Sequence, residues 1–64
     1  MIRHIATMIN GQGMETDVYY NASTKQVYQA EHPSRIDREL FTANSILEAE
    51  ATLEELYGSN VDLD

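Results

Sequence analysis

Cysteine and tryptophan are absent, proline occurs once, and only four side chains are lysine or arginine in 64 residues. Without cysteine, disulfides, thiolate zinc sites and cysteine nucleophiles are all excluded. Long apolar runs are missing as well: nothing approaches the roughly eighteen residues of a membrane span. Met1-Ile2-Arg3-His4-Ile5 turns polar too soon for a secretory leader. These absences lead us to expect a cytoplasmic protein with no membrane partner. Asn21-Ala22-Ser23 formally matches a glycosylation acceptor, but in such a protein it reads as a turn.

What is present is acid. Eleven carboxylates against four bases give a net charge of −7, and the surplus is not spread evenly. Residues 1–38 hold all the bases (Arg3, Lys25, Arg35, Arg38) and four acids (Glu15, Asp17, Glu31, Asp37), and so are neutral. Residues 39–64 hold the other seven acids and no base. A chain this short folds as one domain and buries only about 60% of the surface its unfolded form exposes, which leaves a thin stability margin. Self-association or a partner protein would supplement it, and a homodimer is the expected state.

The first half alternates between strand and turn signals. Ile2 to Ile9 is apolar and β-branched, and Asn10-Gly11-Gln12-Gly13 follows it; Asn-Gly is a strong hairpin signal because both residues tolerate positive φ. Glu15 to Tyr20 alternates Thr16, Val18 and Tyr20 against Glu15, Asp17 and Tyr19, the period-2 pattern of a sheet with one wetter face. Asn21-Ala22-Ser23-Thr24 supplies turn formers, and Lys25 to Ala30 repeats the alternation. Glu31-His32-Pro33-Ser34 ends it. Over residues 35–43, Ile36 and Leu40 suit a helix, while Ile36, Leu40 and Thr42 alternate equally well; a fourth short strand ending near Thr42 is the preferred reading.

The second half is helical. Ser45-Ile46-Leu47-Glu48 has the form of a capping box, in which the serine hydroxyl accepts an orphan amide and the glutamate reaches back to the serine amide. Gly58 after Tyr57 is a stop signal, giving a helix over about 44–57. At about 100° per residue Ile46, Ala49, Leu53, Leu56 and Tyr57 fall within one arc, a stripe that packs on the sheet. Glu48 and Glu55 project away from it, and Glu50 and Glu54 flank it. Residues 59–64, with Asp62 and Asp64, carry too little apolar material to hold themselves down and read as a mobile acidic tail on a 1–58 domain. The fold class is therefore α+β: an antiparallel β-meander of three to four strands, with one C-terminal amphipathic helix packed on one face.

Chemistry is sparse. His4 and His32 are the only conventional general bases, no serine triad can be assembled, and Gly11-Gln12-Gly13 is too short to cradle phosphate. Glu50 and Glu54 lie on an exposed flank where nothing would split their pKa values. No catalytic residue, metal ligand or cofactor is assigned, and the expectation is that the protein is not an enzyme. His4 and His32 could approach each other near Glu31 or Asp37, but no spacing demands a metal site.

Two binding surfaces are expected instead. Tyr19 and Tyr28, on neighbouring strands, would share the sheet face left open by the helix and offer stiff contact area with hydroxyl handles. Stacking on nucleic acid also needs a positive groove, so direct nucleic-acid binding is disfavoured. The second surface is acidic: Glu48, Glu50, Glu54, Glu55, Asp62 and Asp64 could imitate phosphates and occupy a basic channel. In size, acidity and hairpin-plus-helix build, the chain resembles the small anti-defence proteins of bacterial viruses, including anti-CRISPR and anti-restriction inhibitors. The resemblance is one of build; it rests on no motif and transfers no residue. It implies an inhibitor acting as a nucleic-acid mimic, beside the first expectation of a self-associating protein-binding module.

Overall fold

A computed structural model describes all residues 1–64. The alternating segments form strands β1 (Ile2–Ile9), β2 (Glu15–Asn21), β3 (Gln26–Gln29) and β4 (Arg38–Thr42), followed by helix α1 (Ile46–Tyr57), a 3₁₀ turn (Gly58–Asn60) and strand β5 (Val61–Leu63). They make one five-stranded sheet in the order β4-β3-β2-β1-β5, with every neighbouring pair antiparallel. The α+β meander and its helix are as expected. The sheet has one strand more, because residues 61–63, read from sequence as part of a mobile tail, pair with Ala6–Met8 of β1. Three residues need not be apolar enough to fold alone when a ready strand edge supplies their partners.

Each turn solves a local backbone problem. Between β1 and β2 the positive φ falls on Gly13 (+78°), not on the Asn-Gly pair. The Asn10 side chain instead accepts the Gln12 and Met14 amides at 2.9 and 3.0 Å, an Asx-type turn. Between β2 and β3, Asn21 Oδ1 takes the Ser23 and Thr24 amides in the same manner. There the left-handed position is filled by Lys25 (φ 64°), a strained choice for a residue with a side chain.

One face of the sheet is the core. Val18 and Tyr20 of β2 and Val27 of β3 point to it, and a register shift in β1 between His4 and Ala6 inserts one extra residue, so that Ile5 and Ala6 are both buried against them. A similar shift in β4 surrounds Leu40, and Leu40 and Phe41 pack at the margin of this core. The Tyr20 hydroxyl, buried with its ring, donates to the Ala43 carbonyl at 2.8 Å, which fixes the chain where it leaves β4 for α1.

Helix α1 must carry the chain from one sheet edge to the other. Twelve residues span about 18 Å, close to the roughly 19 Å between the outer strands of a five-stranded sheet. Ser45 Oγ accepts the Glu48 amide at 3.1 Å. The returning Glu48 carboxylate takes the amide of Asn44, one residue before the serine expected from the box. Gly58, at φ 49°, ends the helix, and its amide donates to the Glu54 carbonyl. Of the predicted stripe, Ala49 and Leu53 are fully buried and Ile46 and Tyr57 partly so, but Leu56 is 59% exposed. Leu56 lies about 60° from Leu53 on the helix wheel, on the side away from Tyr57, at the margin of the stripe that the sheet covers.

Candidate functional site: a histidine cluster and an acidic helix

The strand register decides which side chains meet on the face away from the helix. His4 sits opposite Tyr19, Tyr19 opposite Tyr28, and Tyr28 opposite Glu39, so these four form a row across β1, β2, β3 and β4. The His4 ring meets Tyr19 edge-on at 5.4 Å and 79°, and Tyr19 stacks on Tyr28 at 5.9 Å and 29°, both favourable aromatic geometries.

This row is not the open tyrosine surface expected from the sequence. Tyr28 is 1% exposed, because the loop between β3 and β4 folds back over it. Its hydroxyl donates to the Pro33 carbonyl, and Asp37 pins the loop by accepting the Glu31 amide at 3.1 Å while donating its own amide to the Gln29 carbonyl at 2.9 Å. Burial, reinforced by neighbouring Tyr19, raises the Tyr28 pKa. Tyr19 is half-buried between His4 and Tyr28. The pair stabilises the sheet more than it offers contact area.

The other end of the row carries a charge cluster that the sequence did not reveal. His4 Nδ1 lies 2.7 Å from Asp64 Oδ2, and His4 Nε2 lies 3.0 Å from Asp17 Oδ1. Ionised carboxylates only accept hydrogen bonds, whereas a neutral imidazole has one N–H and one lone pair. Both contacts are hydrogen bonds only when the ring is an imidazolium. The Asp64 hydrogen bond, aided by Asp17 and opposed by partial burial, accordingly raises the His4 pKa from its usual 6.5. These are the only ion pairs in the molecule. The two nitrogens point at different carboxylates, so the three side chains do not converge, and no group of three or more histidine and carboxylate side chains could hold a metal ion. His32 stays in the β3–β4 loop, bridged to Arg35, and takes no part in the cluster.

Sequence reading missed this cluster for two reasons. The bulge after His4 sets which β1 residue faces Tyr19, and Asp64 arrives only because β5 forms. One signal was available: strict alternation from Tyr19 already placed Asp17 on the wetter face.

The six carboxylates expected to form one surface are divided. Glu48, Glu50, Glu54 and Glu55 are on α1, with Glu50 half-buried and the others exposed. Asp62 pairs through Thr7 with Asp17 on the opposite side of the sheet, where Asp64 is held by His4. On the helix, Leu47 is 78% exposed one turn before Glu50, and Leu56 is 59% exposed next to Glu55, the two leucines lying on opposite flanks about 180° apart on the wheel. None of these glutamates meets a lysine or arginine. A groove of about 450 Å³ separates the start of the helix from the outer edge of β1, lined by Arg3, His4, Ile5, Ile46, Leu47, Glu50 and Asp64. No helix is long and apolar enough to cross a membrane.

No protein-family model, curated protein or solved structure matches this chain.

Proposed function

We propose that the protein is a small acidic, non-enzymatic protein-binding module, and that the outer surface of α1 is what a partner contacts. The observation that carries this reading is the combination on one helix of four glutamates that make no ion pair and two leucines left in solvent. Like charges at i and i+4, as in Glu50 and Glu54, cost a few tenths of a kcal/mol in an isolated helix, and leucines as exposed as Leu47 and Leu56 gain little from folding. A partner with a basic, partly apolar surface would relieve both. Complementary charge of this kind speeds association and makes binding strongly dependent on salt.

Partners retained by the wild-type protein should be lost by a Glu48→Lys, Glu54→Lys, Glu55→Lys variant and by wild type in half-molar salt. Capture lists from the native host that are identical for wild type and variant would end the reading. Imitation of nucleic acid on a basic channel is the same surface meeting one class of partner. The four glutamates on one helix without an ion-pair partner favour it, and competition by an oligonucleotide for the captured partner would identify it. Self-association is a separate part of the proposal. It would use an unpaired edge, either β4 or the Ile2–His4 stretch of β1 that β5 does not reach. Sedimentation at micromolar concentration tests it, and a strictly monomeric boundary would remove it.

A further inference from the structure

We propose that His4 is a proton-operated latch for β5: as an imidazolium it ties Asp64 to β2 through Asp17, and as a neutral ring it lets Asp64 and β5 leave the edge of β1.

The geometry supplies the switch. With the ring charged, two N–H groups meet two carboxylates at 2.7 and 3.0 Å, both charge-assisted hydrogen bonds. Loss of the proton leaves one nitrogen with a lone pair facing a carboxylate oxygen, whichever tautomer forms. It also leaves Asp17 and Asp64 on either side of an uncharged ring. The other groups around the ring do not replace the missing cation. From β2 there is Tyr19, edge-on to the ring. From β5 there is Asp62, on the same sheet face. From α1 there is Glu50, across the groove that Arg3, on β1 itself, also lines. Arg3 is the one cation in this set, and it makes no ion pair.

Of the two carboxylates, Asp64 is the one free to move. Asp17 belongs to β2, which is paired along its length with β1 and further on with β3. Asp64 follows a three-residue edge strand paired on one side only, and its own backbone is held by a single hydrogen bond, from its amide to the Ile5 carbonyl at 3.1 Å. Short edge strands lie at the low-stability end of a fold and open without global unfolding. When β5 leaves, the Ala6–Met8 edge is uncovered, and the unpaired stretch of β1 lengthens from Ile2–His4 toward the whole strand. The latch does not rest on the acidic-helix reading: Glu50 borders the same groove, but the bonds that close the latch are those of His4 with Asp17 and Asp64, and it needs no partner.

The test is an NMR titration of the wild-type chain from pH 5.5 to 8.5, following the His4 ring and the exchange of the Asp64 amide in the same samples. Exchange is expressed as a protection factor, so that the intrinsic base catalysis of exchange cancels. Protection of Asp64 should fall about three- to tenfold, the size of one charge-assisted contact, with the midpoint of the His4 titration, while the Val18 and Tyr20 amides in β2 keep theirs. In Asp64→Asn, whose side chain still fits but carries no charge, protection should be low at pH 5.5 and flat. Asp64 protection that ignores the His4 titration overturns the proposal. So does a parallel loss across β2, which would mean global unfolding.

Discussion

On the helix-covered face of the sheet, Ile5, Val18, Tyr20 and Val27 are each 4% exposed or less. On the opposite face β1 and β2 present His4, Asp17 and Tyr19, all only partly buried, while Tyr28 of β3 is covered by the β3–β4 loop. The first face is held by apolar burial and one buried hydroxyl contact, neither of which responds to pH near neutrality. The second is held by a stacked row and a charge cluster that does respond. In a 64-residue chain total stability is only about 3–10 kcal/mol. The molecule therefore has one face that decides whether it folds and another that can be adjusted without unfolding it. Substitutions on the two faces should differ in size and in pH dependence.

The largest effect should come from the covered face. Leu53 is the helix's main anchor and is fully buried, so Leu53→Ala removes its burial and leaves a cavity, at a cost of about 2–4 kcal/mol. Urea unfolding would register this as a lower midpoint at an unchanged slope. A loss below about 1 kcal/mol would mean that α1 is not fixed across the sheet. Tyr20→Phe is the next step down. It keeps the ring but leaves the buried Ala43 carbonyl without its donor, an expected cost of about 1–2 kcal/mol at every pH. A pH-dependent loss would show that the two faces are coupled.

The open face should show a smaller effect with a definite sign. The His4 pKa is raised on folding, so its contribution is complete below the unfolded value near 6.5 and is lost as pH rises through the folded value. Stability should therefore decline from about pH 6 toward pH 8.5. Both partners are partly solvated, with side-chain exposures of 35% for His4 and 49% for Asp64, which limits the change to at most about 1 kcal/mol. His4→Gln should abolish the slope. A wild-type midpoint that rises over the same interval would contradict the pairing.

The sequence showed the covered face more fully than the open one, and the reason is periodicity. Core residues recur every second position in strands and every third or fourth in a helix, so Val18, Tyr20, Val27, Ala49 and Leu53 could be assigned from spacing alone. The helix boundaries followed from Ser45 and Gly58, whose capping chemistry is local. The open face depends instead on contacts between residues far apart in sequence. His4 and Asp64 are 60 positions apart, and no local pattern announces that residues 61–63 will find β1. Tyr28 was misjudged because its cover comes from a loop whose path is set by Asp37 and Pro33 and not by hydrophobic alternation. Leu56 was misjudged in the opposite direction: it lies at the edge of the arc, and a helical wheel does not say how wide a stripe the sheet covers.

Leu56 provides the finest test of the division between the faces. It shares the predicted stripe with Leu53 but is 59% exposed, so Leu56→Gln removes little burial and keeps good helix propensity. Its effect on unfolding should fall within about 0.5 kcal/mol, several times less than Leu53→Ala three residues away. If the outer surface of α1 contacts a partner, the same substitution should weaken capture of that partner while leaving the urea midpoint in place. That result would separate a leucine retained for binding from one retained for folding. A loss of stability comparable with that of Leu53→Ala would mean that Leu56 itself packs onto the sheet, and that the covered face extends to its position.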